Sequence, residues 1–284
     1  MVVLVLLLWP RSQTKFFPPL PQPNGYDVLT RAAATVQQPN DYARALSTEQ
    51  LAELRTKNQK AFALLREALQ MQCAVPVQMS ENWFAVHSPE LMVLKAAAMA
   101  WGAEAELQLR RGDTNETVLT CLDLMRFSEA IGRGGVLIDF LVAAACEGVA
   151  MQRITNLVGS LDATHCKQLA TFLQAFDERR DSFDEIQKRE KEWIRRTHGA
   201  VKSILMTVQE RWLNPSGGLG LPASTQATTY DSRARVVRSA LLDAAARAYR
   251  LERGKSPSEV SDLIPAYLLR APIDPATGQP LKLP

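Results

Sequence analysis

The chain is poor in the residues that carry most enzyme chemistry. It has three histidines in 284 residues, His87, His165 and His198, and they are dispersed. A metal centre in a helical bundle needs Glu-x-x-His pairs on facing helices, and the sequence contains none. The segment from Asp162 to His165 has the one metal-like spacing, and Asp162 stands where a helix cap is expected. GxSxG, HExxH, phosphate-loop and dinucleotide signatures are all missing. GGLG at 217–220 lacks the lysine and the preceding strand of a phosphate cradle, so it reads as loop. No cofactor and no metal are therefore expected. Cysteine is equally sparse: Cys73, Cys121, Cys146 and Cys166 follow no CxxC or other ligand spacing. Cys121 and Cys146 fall among apolar residues, where a thiol acts as a small hydrophobe. All four read as structural thiols, with pairing of two left open for an exported chain.

Neither sign of charge is in large excess. Lys and Arg total 33 against 30 Asp and Glu, a net +3, and the basic residues are scattered among the acids. A nucleic-acid partner needs a concentrated basic footprint, so none is expected. Apolar residues make up 46% and charged residues 22%, an ordinary globular balance.

Long apolar runs are also scarce. The nine residues MVVLVLLLW open the chain and end at Pro10. As a helix they span about 14 Å, less than half of a roughly 30 Å hydrocarbon core. They are either a short hydrophobic start or the end of a longer signal anchor. The second reading is preferred, because the proline-rich FFPPLPQPNG at 16–25 suits an extended stalk. It implies an exported, membrane-anchored protein on the periplasmic side; a true start at Met1 without an anchor implies a cytoplasmic one. The other run, GVLIDFLVAAACEGVAM at 135–151, is apolar all round except for Asp139 and Glu147. Each acid at a bilayer centre costs about 2.5–3.5 kcal/mol, so the segment is predicted to be a helix buried by other helices.

From Tyr26 onward the periodicity is helical. A short helix is predicted over 26–37, and Ser47 with Gln50 makes a capping box for one reaching about Met71. Residues 73–87 read as irregular chain crossing the core. Ser88, Pro89 and Glu90 give a cap, a first-turn proline and a first-turn acid for a helix ending near Arg111. Asp113 with Glu116 starts the next, over 114–131, and the four-residue RGDT connection makes the two an αα-hairpin. Further helices are predicted after Asp162, over 182–212, and over 233–252. The stripe of the second runs through Phe183, Ile186, Glu190, Trp193 and Thr197 to Val201, Ile204, Leu205, Val208 and Trp212. The Gly, Pro, Ser and Thr-rich 214–232 reads as a loop and a domain boundary. The predicted organisation is thus an apolar start and stalk (1–25), a helical domain (26–213), a loop (214–232), and a final helix with a tail (233–284) packed on the helical domain.

LQLRRGDTNETVLTCLDLM resembles a tetratricopeptide-type hairpin, without a second copy at the 34-residue period. The fold class expected is all-α: stacked antiparallel helical hairpins, TPR-like, around a central buried helix, with a small irregular tail containing a β-turn. The tail, AYRLERGKSPSEVSDLIPAYLLRAPIDPATGQPLKLP, resembles the end of type II secretion pseudopilin domains. Tyr249, Gly254, Pro257, Leu263, Asp274, Pro275, Gly278, Pro280 and Leu281 match that pattern. A pseudopilin has its apolar N-terminal helix running straight into this domain, whereas nearly 200 helical residues intervene here. PPLPQPNGYD, the central LRRGD, GRGGVLID and LV order, and the tail together are similar to a set of uncharacterised helical proteins of planctomycete-type bacteria. That resemblance implies an exported, tethered helical protein and no particular catalysis.

A buried carboxylate must be paired or protonated, so Asp139 and Glu147 need partners; Lys95, Arg126, Arg133 and Arg153 are the candidates. One reading makes them internal salt bridges. A second gathers Asp139, Glu147 and Glu190, with Arg153, around a polar cavity able to act as an acid/base pair or hold a cation. Three functions follow. The first is a non-catalytic scaffold or interaction module tethered outside the cytoplasm, its partner another protein and its only membrane contact the N-terminal apolar segment. The second is an enzyme or small-ligand binder using those acids. The third is an accessory subunit of a secretion or pilus-like assembly.

Overall fold

The computed structural model describes residues 16–39, 41, 43–212 and 223–283, and the side chains of these except 200–212, 223 and 224. The apolar start at 1–9 and residues 213–222 lie outside the described residues. Among those described there are eight α-helices, two 3-10 turns at Val158–Ser160 and Val260–Leu263, and no strand, so the fold is all-α. The helices are α1 (Gly25–Ala33), α2 (Thr48–Ala68), α3 (Trp83–Arg110), α4 (Thr114–Gly132), α5 (Leu137–Leu157), α6 (Ala163–Arg179), α7 (Phe183–Trp212) and α8 (Ala223–Arg253).

The long apolar segment is α5, packed against α3, α4, α7 and α8. Of residues 135–151 only Ala145 is exposed. Close approach is built into its neighbours: a Cβ on Gly102 of α3 would meet Val149 at 2.5 Å, and one on Gly132 of α4 would meet Ala143 at 2.8 Å. Helix α2 opens on the expected capping box, Ser47 Oγ accepting from Gln50 N and Gln50 Oε1 from Ser47 N. Helices α3 and α4 form the expected hairpin across Gly112, whose φ of +79° suits glycine. The likeness to a tetratricopeptide hairpin stays with the sequence pattern.

Helix α3 begins six residues ahead of Pro89, and so departs from the expected cap at Ser88. Ser88 instead donates its hydroxyl to Phe84 O at 2.8 Å. The extra turn buries Trp83 and His87, a gain that outweighs the hydrogen bond Pro89 cannot make. The irregular segment is thereby shortened, and its Val75 N–H donates to Arg133 O at 3.0 Å. Helix α8 likewise begins at Ala223, inside the stretch expected as loop. Tyr230 is what holds it: its ring lies 5.7 Å from both Phe140 and Phe183, and its hydroxyl donates to Asp181 O at 3.0 Å. Helix α7 is broken at Gly199, where φ is +78°. The apolar stripe beyond that point, Val201 to Trp212, falls on side chains outside the described residues.

The expected stalk is not free of the domain over its described part. Phe17 packs against the core, and Pro18 sits on Gly134, where a Cβ would come within 2.5 Å of the proline ring. Asn24 then caps α1 and exchanges hydrogen bonds with both backbone groups of Ala74. The tail closes on α6 and α8. Gly254, at φ +68°, ends α8 as its C-cap, its N–H donating to Arg250 O at 2.9 Å. Tyr249 meets Tyr267 edge-on at 5.6 Å, and Tyr267 donates to Glu252. Asp274 to Gly278 form a turn, with Gly278 at φ +68° and Asp274 Oδ1 accepting from Ala276 N. An isolated antiparallel bridge between Ile273 and Pro280 closes it. Pro257 and Pro275 are half-buried structural residues of the same tail.

Candidate functional site

The acids expected at one cavity occupy two places. The first is the N-terminus of α5, where a helix leaves backbone N–H groups without partners and carries partial positive charge. Asp139 Oδ2 reaches back to Val136 N at 2.8 Å, and Glu190 Oε2, from α7, accepts from Leu137 N at 2.9 Å. Arg189, beside Glu190, donates Nε to Gly135 O at 2.8 Å and pairs with Asp181, which also accepts from Gly134 N. The GRGG turn and the start of α5 are thus stitched to α7 by carboxylates on donors and a guanidinium on a carbonyl.

The second oxygen of Asp139 meets His87 Nε2 at 2.6 Å, in a site where Asp139 has no exposure. The other ring nitrogen of His87 lies 3.2 Å from Glu90. Trp83 stacks on the imidazole at 4.4 Å. Burial by itself pushes the His87 imidazolium down; the hydrogen bond and charge of Asp139, joined by Glu90, outweigh it and leave the pKa raised. A ring engaged at both nitrogens presents no free nitrogen to a substrate. Tyr26 completes this corner, its phenol pushed up by burial and by the charge of Asp139.

The second place is Glu147, two turns further along α5. Its Oε1 receives Arg180 at 3.1 Å and Arg233 at 3.3 Å. Neither was among the partners expected from the sequence. Arg153 lies elsewhere, donating to Val149 O of its own helix and 3.9 Å from Glu106. Arg126 pairs with Asp123, and Arg133 with Glu129. Glu147 and Arg180 line a cleft of about 60 Å³ between α4, α5 and the α6–α7 connection, with Phe140, Ala143, Phe176 and Ile186 as its apolar wall. Asp139 and Glu190 do not line it.

A third feature went unnoticed in the sequence, because its residues are far apart in the chain and individually ordinary. Along one face of α2, Arg55, Thr56, Gln59 and Arg66 border a groove of about 440 Å³ closed by Glu104 of α3 and by Arg111, the residue after it. Glu104, 6% exposed, holds Arg55 at 3.4 Å and Arg66 at 3.2 Å. Arg66 also binds Asp123 and lies over Trp101, which stacks on Phe62.

The other sequence candidates take structural positions. Asp162 accepts from His165 N and lies 2.8 Å from His165 Nδ1, as the cap of α6. All four cysteines are buried free thiols, and burial pushes Cys121 and Cys146 each up to about 12. Among the described residues no group of three or more His, Cys, Asp or Glu is placed to hold a metal, and no helix is long and apolar enough to cross a membrane. Comparison with known proteins yields no family model, no curated protein and no solved structure that matches the chain.

Proposed function

We propose that this protein is a non-catalytic helical interaction module that receives an acidic segment of a partner protein in the groove between α2 and α3. The observation that carries the reading is the charge of that groove: Arg55, Arg66 and Arg111 border it against Glu104, with Asp123 also holding Arg66. Arg55 and Arg66 keep 46% and 40% of their side chains exposed, so their free N–H groups can reach a carboxylate in the bidentate manner arginine favours. The non-catalytic half rests on Asp139, Glu147 and Glu190, each engaged by fixed partners inside the fold. Tethering through the N-terminal apolar stretch, outside the cytoplasm, belongs to the same proposal.

The test is fluorescence anisotropy with a labelled Asp/Glu-rich octapeptide. Binding is expected to weaken as salt rises, since exposed charges are screened over about 8 Å at physiological ionic strength. It is also expected to be lost in the Arg55→Glu, Arg111→Glu double variant. Affinity no greater than for a Ser/Gly peptide of the same length, or unmoved by charge reversal, defeats the proposal.

A further inference from the structure

In the cleft beside Glu147 the excess of cations is buried, whereas that of the groove between α2 and α3 is largely exposed. Two guanidiniums, Arg180 and Arg233, converge on one oxygen of one carboxylate, and their side chains are only 11% and 18% exposed. The Nε atoms of both are shut off from solvent with no acceptor among the described residues. Burial pushes the Arg233 pKa down; Glu147 opposes this, and the neighbouring Arg180 charge adds to it. Buried charge of one sign in excess is expensive, and two guanidiniums on one carboxylate leave this pairing one negative charge short. The rings of Phe176 and Tyr230, 5.3 and 6.0 Å from the Arg180 guanidinium, offset part of that deficit.

The cleft reaching Arg180 has an apolar wall of Phe140, Ala143, Ala144, Phe176 and Ile186, and its other charged residues are paired, Glu129 with Arg133 and Arg179, and Asp181 with Arg189. An apolar cavity with a few convergent polar groups is the usual form of a small-molecule site. We infer that this cleft binds a small monocarboxylate, its carboxylate on Arg180 and its short hydrocarbon body between Phe140, Phe176 and Ile186. A single charge suits the deficit of one, whereas a phosphate dianion would overfill it beside Glu147. Free volume of about 60 Å³ limits the body to a few carbons. This inference is independent of the groove between α2 and α3, and each can fail alone.

Isothermal titration of the full chain with butyrate, butyramide and inorganic phosphate tests it. Butyrate is expected to bind saturably with a dissociation constant on the order of 1 mM. Butyramide, of the same shape without the charge, should bind at least about tenfold more weakly, a difference of about 1.4 kcal/mol. Arg180→Met, which removes the cation, and Ala144→Leu, which fills the cleft, should each abolish the butyrate signal in protein whose circular dichroism is that of the parent. The inference is overturned by the absence of saturable butyrate binding, by equal affinity for butyramide, by phosphate binding in preference, or by an unchanged butyrate affinity in either folded variant.

Discussion

Asp139 and Glu147 lie eight residues apart on the same helix and are both buried acids, yet they do opposite things. At Asp139 the acid is matched: one oxygen takes a backbone N–H of its own helix, the other takes His87, and Glu90 takes the far side of the ring. At Glu147 one acid faces two cations, and the guanidinium Nε atoms have no acceptor among the described residues. A closed set of partners holds helices in place. An open set leaves capacity for something else, which is why the candidate ligand cleft belongs to the second acid and not to the first.

The largest effect that would test this contrast is at the matched site. Asp139→Ala strips buried His87 of its main partner and removes the carboxylate that caps Val136 N at the start of α5, so urea unfolding is expected to show a loss of about 3–5 kcal/mol. A loss below about 1 kcal/mol would mean that the Asp139 network carries little of the fold. The pH dependence comes next. The folded pKa of His87 stands above its ordinary value, so the folded protein binds the proton more tightly than the unfolded chain does. The stability this contributes is fully present below the unfolded pKa, about 6.5, and is lost as pH rises through the raised folded value. Stability followed by urea unfolding across that window should fall with rising pH in the parent, and the fall should be smaller in His87→Phe. Smallest is the unmatched site: Arg180→Met removes one of two like charges and keeps an apolar stem against Phe176, so it should change stability by no more than about 1 kcal/mol. A loss there as large as that of Asp139→Ala would erase the distinction between the two acids.

What the sequence showed and what it hid divide along the range of the interaction. Burial of α5 was legible because an all-round apolar helix has few alternatives. Gly254 and Gly278 were legible because a left-handed residue closing a helix or a turn is a local requirement. The capping role of Asp139 was not read from the sequence, where it figured as a buried acid in need of a cation, although an acid at the third position of a helix is a local signature of a capped start. Its histidine was not legible, because Pro89 so closely imitates a helix start that residues 83–87 read as irregular chain. Arg180 and Arg233 were hidden for another reason. They come from the end of α6 and the body of α8, and only the packing of α8 on α5, with α6 against α8 and α4, brings them to Glu147. The same holds for 223–232, whose Ser and Thr content indicates loop until Tyr230 finds Phe140 and Phe183.

The seating of Pro18 on Gly134 has a mechanical corollary. Phe17 and Pro18 fix the chain ahead of α1 beside the turn joining α4 to α5, away from the head of α1. A pull on the chain ahead of Pro18 would reach the body first at this turn. There Gly134 is tied to Asp181, Gly135 to Arg189 of α7, and Asp139 to His87 of α3, so a tug would be resisted at this cross-braced turn before it could peel away the short first helix.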